Sequence, residues 1–208
     1  LTVRKAEGSA SGNLRLATAE QQGQPPQIRF EGTVQKWALA SFKELGIDLG
    51  EDVAGTLSGN GFISGKEGVW ECEGQAGIEH GMDKGQDFDS MRGNARLRQG
   101  TLQITDSQLI RGAAKLVIRG QAQLEEHKMD LTVRLDDLPL RSFPALQDNR
   151  IEVDGTITAT GRVQGTFETP HLTGRLELEG LRYAGWDLGR GNGSIELKDK
   201  VLTGEGAV

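Results

Sequence analysis

The sequence predicts an all-β fold, a long antiparallel sheet built from repeats of about 100 residues, with one or two short helices. Three observations support this prediction. Apolar and polar residues alternate with a period of two along most of the 208-residue chain, as in strands with one apolar and one solvated face. Glycine is about twice as frequent as in an average protein, with 30 residues. Segments with helical periodicity are few and short.

The alternation is clearest in five stretches of the chain. They are Leu14–Leu16, Met129–Leu135, Ile151–Val163, Leu172–Leu178 and Ile195–Leu197. The long apolar runs that are typical of parallel strands covered on both faces are missing. We therefore predict about ten to twelve antiparallel strands and no βαβ units.

Two short segments have helical character. Gln35–Leu45 carries apolar residues at helical spacing and is followed by Gly46, a suitable C-cap, while Arg141–Gln147 is interrupted by Pro144. Neither segment is long enough to cover a sheet of this size. The apolar face must therefore be buried by closure into a barrel, by folding into a sandwich, or by a ligand.

Many glycines share the parity of the neighbouring apolar residues, as in Val53–Gly65 and Ile151–Gly165. Glycine in a strand marks a bend or a place where another group approaches closely. Two interpretations remain open. The glycines are bends at the corners of a barrel, or they leave an underfilled apolar channel for a hydrophobic ligand.

The same two glycine-rich blocks align at an offset of 100 residues, which indicates an internal repeat. We predict that residues 1–34 end a preceding repeat, that 35–134 form one unit and that 135–208 form a truncated second unit. These would belong to one continuous β structure. Because such arrays grow by stacking, we expect the chain to be an excerpt from a longer rod.

Composition disfavours several classes of function. The net charge of −6 disfavours a nucleic-acid-binding protein, and no apolar run approaches the ~20 residues that span a bilayer. The single Cys72 cannot form an internal disulfide, and the three histidines lie far apart in the sequence. No nucleophile or phosphate-binding motif is present, and the pair Asp136–Asp137 is typical of a turn. We therefore predict no enzyme activity, cofactor or metal.

Two blocks, Gly100–Leu140 and Pro170–Asp199, resemble the AsmA and TamB superfamily of bacterial envelope proteins. The resemblance lies in G-x-L-x-L strand pairs, a proline just before a Leu-x-Gly strand, and the turn at Leu181–Trp186. It covers most of Gln35–Val208. These motifs are degenerate and identify an architecture better than a particular member.

This resemblance implies a periplasmic β-sheet rod that is curled into a taco-like open groove with an apolar interior. Members are anchored in the inner membrane by an N-terminal helix, which would lie outside this chain, and are implicated in moving phospholipids toward the outer membrane. TamB also works with an outer-membrane β-barrel partner, TamA, in assembling outer-membrane proteins. Phospholipid acyl chains, and a TamA-like barrel, are thus the expected partners, and nucleic acid is not.

Strand parity predicts which residues line the groove. They are the apolar residues on one parity of the best-defined strands, and the hypothesis fails for any that face solvent. The set is Val53, Leu57, Ile63, Leu97, Leu102, Ile104, Leu116, Ile118, Leu124, Leu131, Val133, Leu135, Ile151, Val153, Ile157, Val163, Leu172, Leu176, Leu178, Ile195 and Leu197. The alternative is a structural rod, an adhesin or scaffold with a closed, filled core and protein partners only.

Overall fold

A computed structural model describes residues 2–5, 8–17, 27–45, 53–66, 69–83, 85–143, 151–199 and 201–207. These residues form thirteen strands and two short 3₁₀ helices. The strands are β1 Thr2–Lys5, β2 Gly8–Ala17, β3 Gln27–Ala38, β4 Ala54–Lys66, β5 Val69–Asp83, β6 Gln86–Arg98, β7 Thr101–Arg111, β8 Ala114–Gln123, β9 Lys128–Pro139, β10 Val153–Thr166, β11 Pro170–Tyr183, β12 Trp186–Lys198 and β13 Val201–Ala207. The 3₁₀ helices are Leu39–Leu45 and Leu140–Ser142.

The predicted fold class, an all-β antiparallel sheet, is confirmed. The strands are hydrogen-bonded in the order of the sequence, from β1 to β13. Neighbouring long strands in the sequence are joined mostly by short connections, because each strand turns back beside the one before it. The chain divides into two compact units, residues 1–109 and residues 110–208.

The helical prediction over Gln35–Leu45 is corrected in its first half. Gln35–Ala38 completes β3, and only Leu39–Leu45 is helical, as a 3₁₀ helix. A register shift between Val34 and Trp37, with Lys36 at φ 48°, turns Trp37 to pair with Leu57 of β4. Pairing with β4 thus outweighs the local helical pattern. The second predicted helix is a 3₁₀ helix at Leu140–Ser142, and the rest of that prediction lies largely outside the described residues.

The turn predicted at Asp136–Asp137 is wrong. Both residues lie inside β9. They fall between Leu135, which pairs with Ala159 of β10, and Leu138, which pairs with Ile157. Asp137 has φ 54°, a value that Asp tolerates better than most residues. The acidic pair therefore forms a β-bulge that re-aims the end of the strand.

The two units contain matching irregularities. In β4 the pairing with β5 shifts between Ala54 and Thr56, and in β10 the pairing with β11 shifts between Asp154 and Thr156. The intervening Gly55 and Gly155 have φ 132° and 130°, which only glycine adopts readily. The repeated glycine block thus lies opposite the same bulge twice, once in β5 and once in β11. The predicted boundaries at 34 and 134 remain a prediction.

Little of the described chain forms a buried core. The buried apolar residues in the described part of the chain are Trp37, Leu39, Ala114, Ala122, Leu140 and Leu181. Four of these lie in or beside the 3₁₀ helices and the bulge of β11. The two faces of the strands are therefore largely uncovered.

Candidate functional site

In the unit 110–208, strand pairing collects apolar residues on one face, because directly paired residues of antiparallel strands point to the same side. Val133 pairs with both Ile118 and Gly161, and Gly161 pairs with Gly174. Successive rows cross β8 to β12. One row is Leu116, Leu135, Ala159, Leu176 and Gly193; the next is Ile118, Val133, Gly161, Gly174 and Ile195; the third is Gly120, Leu131, Val163, Leu172 and Leu197. We call this surface the apolar face of the unit.

Exposure follows the same alternation. In β11 Leu172, Leu176 and Leu178 are half-buried, while the intervening Thr173 and Arg175 are exposed. β9 and β12 show the same pattern. Neighbouring apolar side chains cover each other partly, but none of the predicted lining residues is buried. The apolar face is therefore accessible to a ligand across its width.

The unit 1–109 has an apolar face with two bulky bands. Pairing places Leu14, Phe30, Ile63, Cys72 and Leu97 in one band. The second band contains Leu57, Ile78 and Met91. Between them lie two rows of mostly small residues, Gly12, Gly32, Gly61, Gly74 and Ala95, and Ala10, Val34, Gly59, Ala76 and Gly93.

The glycines between the bands are required by close approach of the backbones. A Cβ added to Gly61 would lie 2.5 Å from the carbonyl oxygen of Glu73, and one added to Gly74 would lie 2.6 Å from that of Asn60. The rings of Phe30 and Trp70 lie against other glycines of this face, which is the arrangement by which aromatics compensate for missing side chains in strands. These contacts identify Gly61 and Gly74 as positions at which a neighbouring backbone approaches closely, one of the two roles expected of glycine in a strand.

The structure places most predicted lining residues on the apolar faces. Residues 116, 118, 131, 133, 135, 157, 163, 172, 176, 178, 195 and 197 share the face of the second unit. In the first unit, pairing assigns Leu57, Ile63 and Leu97 to its apolar face. Leu102 and Ile104 alternate in β7 with the exposed Gln103 and Thr105.

Three predicted residues lie outside the strands. Leu124 lies in the turn after β8, and Ile151 precedes β10; both are exposed. Val53 likewise lies just before β4. In each case the alternation continues in the sequence past the end of the strand. Val153 keeps the parity of Ile157 and pairs with Tyr183, since the extra residue of the bulge between them lies in β11. Ile63 lies on the apolar face but is 49% exposed.

Sequence reasoning missed the few buried apolar side chains. Trp37 and Leu39 are buried in the first unit, and Leu140 and Leu181 in the second. The 3₁₀ helices that begin at Leu39 and Leu140 correspond at an offset of about 100 residues, which is the signal that could have identified these two leucines. Leu14, which does alternate, also lies on the face of the first unit but is not among the predicted lining residues.

The opposite face of the second unit is polar and carries ion pairs. Arg162 donates hydrogen bonds to Asp130 through Nε at 2.7 Å and through Nη2 at 2.6 Å. These bonds, and the positive charge, lower the pKa of Asp130 and raise that of Arg162. Asp136 likewise raises the pKa of Arg134 through a hydrogen bond and its charge.

The Asp130 pair predicts a specific titration. Because its folded pKa is lowered, Asp130 stabilises the fold above the pKa of an unfolded aspartate, and this contribution is lost as the pH falls through the folded pKa. We expect the Arg162→Met variant to raise the titration midpoint of the Asp130 carboxyl, measured by ¹³C NMR. An unchanged midpoint would show that the pair does not form in solution.

The described residues contain no group of three or more His, Cys, Asp or Glu side chains that could hold a metal ion. Within the same ranges, no helix is long and apolar enough to cross a membrane. Comparison of the chain with family models, with curated proteins and with solved structures found no match.

Proposed function

We propose that this chain is a segment of a periplasmic AsmA/TamB-like envelope protein whose apolar face conducts phospholipids between the inner and outer membranes. The observation that carries the proposal is the continuous apolar face of β8–β12, which no described element covers. A face of this kind needs an apolar partner, and the sequence resemblance favours lipid. The same surface could serve the assembly of outer-membrane proteins.

The energetics suit acyl chains. Each methylene group that leaves water contributes about 0.8 kcal/mol, so a chain lying on the rows from Leu116 to Ile195 would bind without a polar contact. The head group would stay in water beside the sheet. Because the rows repeat from strand to strand, a lipid would exchange one set of contacts for a similar set as it slides. Transfer of this kind needs no catalytic residue or cofactor.

The proposed protein and membrane partners follow from the resemblance to the AsmA and TamB superfamily. The protein would be held at the inner membrane by an anchor outside this chain, and a TamA-like outer-membrane barrel would receive its far end. The rival function, a structural rod with a closed core, requires a filled interior. Leu131, Val133 and Leu176 are only half-buried, which counts against it.

Lipid capture tests the proposal. We expect the chain purified from bacterial membranes to carry phospholipid in native mass spectrometry, with the lipid class identified by lipidomics of the extract. The variant Leu131→Asp/Val133→Asp should carry at least tenfold less bound phospholipid than the parent, because it places two carboxylates on the apolar face of β9. Thr132→Asp is the matched control, since Thr132 is exposed on the opposite face of the same strand.

Circular dichroism verifies that each variant is folded. A protein free of lipid, which also fails to take up an added fluorescent phospholipid, would overturn the conduit and favour the structural rod. Equal lipid loss in Thr132→Asp would likewise overturn the assignment of binding to the apolar face.

A further inference from the structure

The polar face of the unit 1–109 carries a row of uncharged hydrogen-bonding side chains. Ser11 pairs with Thr33, Thr33 with Asn60, Asn60 with Gln75, and Gln75 with Asn94, so the five lie side by side on β2 to β6. At about 4.8 Å between strands, the row extends for about 19 Å. We call it the amide row.

None of these five side chains makes a hydrogen bond within the described part of the chain, and four of them are exposed. Asparagine and glutamine each supply donors and an acceptor, and a hydroxyl supplies both. The row therefore presents alternating donor and acceptor groups that the protein itself does not use.

Three contiguous depressions follow the amide row. The first, of about 550 Å³, is lined by Ser11, Thr33 and Asn60. The second, of about 460 Å³, shares Asn60 and continues along Gln75 and Asn94. The third depression, also of about 460 Å³, is lined by Gln75 and Asn94 as well. Together they form an extended, shallow groove across the strands.

The charges beside the groove do not favour an anionic ligand. Arg92 and Arg96 line it, but so do Glu31, Glu73 and Asp106, and Arg96 donates a hydrogen bond to Glu73 at 2.7 Å. Acidic groups thus outnumber basic ones. Peptides are recognised largely through apolar and aromatic anchors, and the amide row contains neither.

The corresponding row in the second unit has different chemistry. Pairing joins Arg134, Thr160, Arg175 and Ser194 there, at an offset of about 100 residues from Thr33, Asn60, Gln75 and Asn94. Arg134 is paired with Asp136. The strand positions alone therefore do not require amides, and the amide row is particular to the first unit.

We propose that the amide row binds a neutral oligosaccharide. A saccharide chain is extended and uncharged, and its hydroxyl groups both donate and accept hydrogen bonds, as the row requires. This site lies on the opposite side of the strands from the apolar face and is independent of lipid transfer. It would hold the protein beside a glycan while the other face carries lipid.

The test uses hexamers of β-1,4-linked glucose and of β-1,4-linked N-acetylglucosamine. We expect either hexamer to shift the side-chain NH₂ signals of Asn60, Gln75 and Asn94 in ¹⁵N NMR spectra. The variant Asn60→Thr/Gln75→Arg/Asn94→Ser installs the residues of the second unit, which suit the same strand positions. It should weaken binding at least tenfold, as expected from the loss of several hydrogen bonds.

Leu131→Asp/Val133→Asp should bind the hexamers normally, so failure of lipid transfer and failure of this site are distinguishable. Absence of side-chain shifts at millimolar saccharide would overturn the proposal. Shifts caused instead by phosphatidylglycerol vesicles, or by a neutral Gly/Ser/Asn peptide, would also overturn it and assign the row to a membrane or a peptide. Equal binding by the triple variant would show that the hexamers bind elsewhere.

Discussion

Replacement of Gly120 by alanine is expected to destabilise the fold by about 3 kcal/mol or more, a large part of the 5–15 kcal/mol typical of a domain. Gly120 lies in β8 with φ 139°, a conformation that alanine rarely adopts. Its Cβ would overlap the carbonyl oxygen of Asp130 and lie 2.8 Å from the α-carbon of Leu131. Both obstacles are backbone atoms of β9, the paired strand, so no side chain can move aside.

Gly204→Ala is the matched control for this prediction. Gly204 is also a strand glycine, but an added Cβ would lie 3.5 Å from the nearest atom, the carbonyl oxygen of Ser194. We expect its urea midpoint to stay close to that of the parent, within the equivalent of about 0.5 kcal/mol. If Gly120→Ala unfolds at the same urea concentration as Gly204→Ala, the close approach of β8 and β9 does not exist in solution.

The strands could be predicted because period-two alternation is a local property. Leu131, Val133 and Leu135 identify the apolar side of β9 without knowledge of any other strand. Alternation also assigns the opposite side to Thr132 and Arg134, and exposure in the structure agrees. What a single strand does not reveal is the partner of each residue across the sheet.

The irregular positions could not be predicted, since pairing decides them. Asp136–Asp137 has the composition of a turn, yet the β10 partner continues past it and converts the pair into a bulge. In the same way, Lys36 takes a positive φ so that Trp37 reaches β4. A bulge changes the parity of the residues beyond it, and for this reason the alternation of β11 does not continue unchanged from Leu178 to Leu181.

The candidate surfaces also depend on strand pairing, which the sequence of a single strand does not reveal. Individual lining residues such as Val133 and Leu176 can be predicted from their own strands. The rows that join them, and the amide row at Asn60 and Gln75, exist only once the register is known. The glycine-rich blocks supply that register partly, because the close backbone contacts of Gly61 and Gly74 allow little sliding.

Trp37→Ala should be the other strongly destabilising substitution, with a loss of about 3–5 kcal/mol, as for large-to-small changes at buried aromatic positions. Trp37 is only 5% exposed, in a chain with few buried side chains among its described residues. It lies between its pairing with Leu57 and the following 3₁₀ helix. Trp186→Ala is the control, since Trp186 is 75% exposed and should cost less than about 0.5 kcal/mol. Urea denaturation followed by circular dichroism measures both.

Trp37→Phe separates packing from hydrogen bonding at this position. The indole Nε1 of Trp37 is buried without a hydrogen-bond partner in the described part of the chain, and an unsatisfied buried donor costs about 1–3 kcal/mol. Phenylalanine removes the donor and keeps much of the apolar surface, so we expect this variant to unfold within about 1 kcal/mol of the parent because the two effects offset. A loss as large as that of Trp37→Ala would contradict this offset and show that the complete indole is needed at this position.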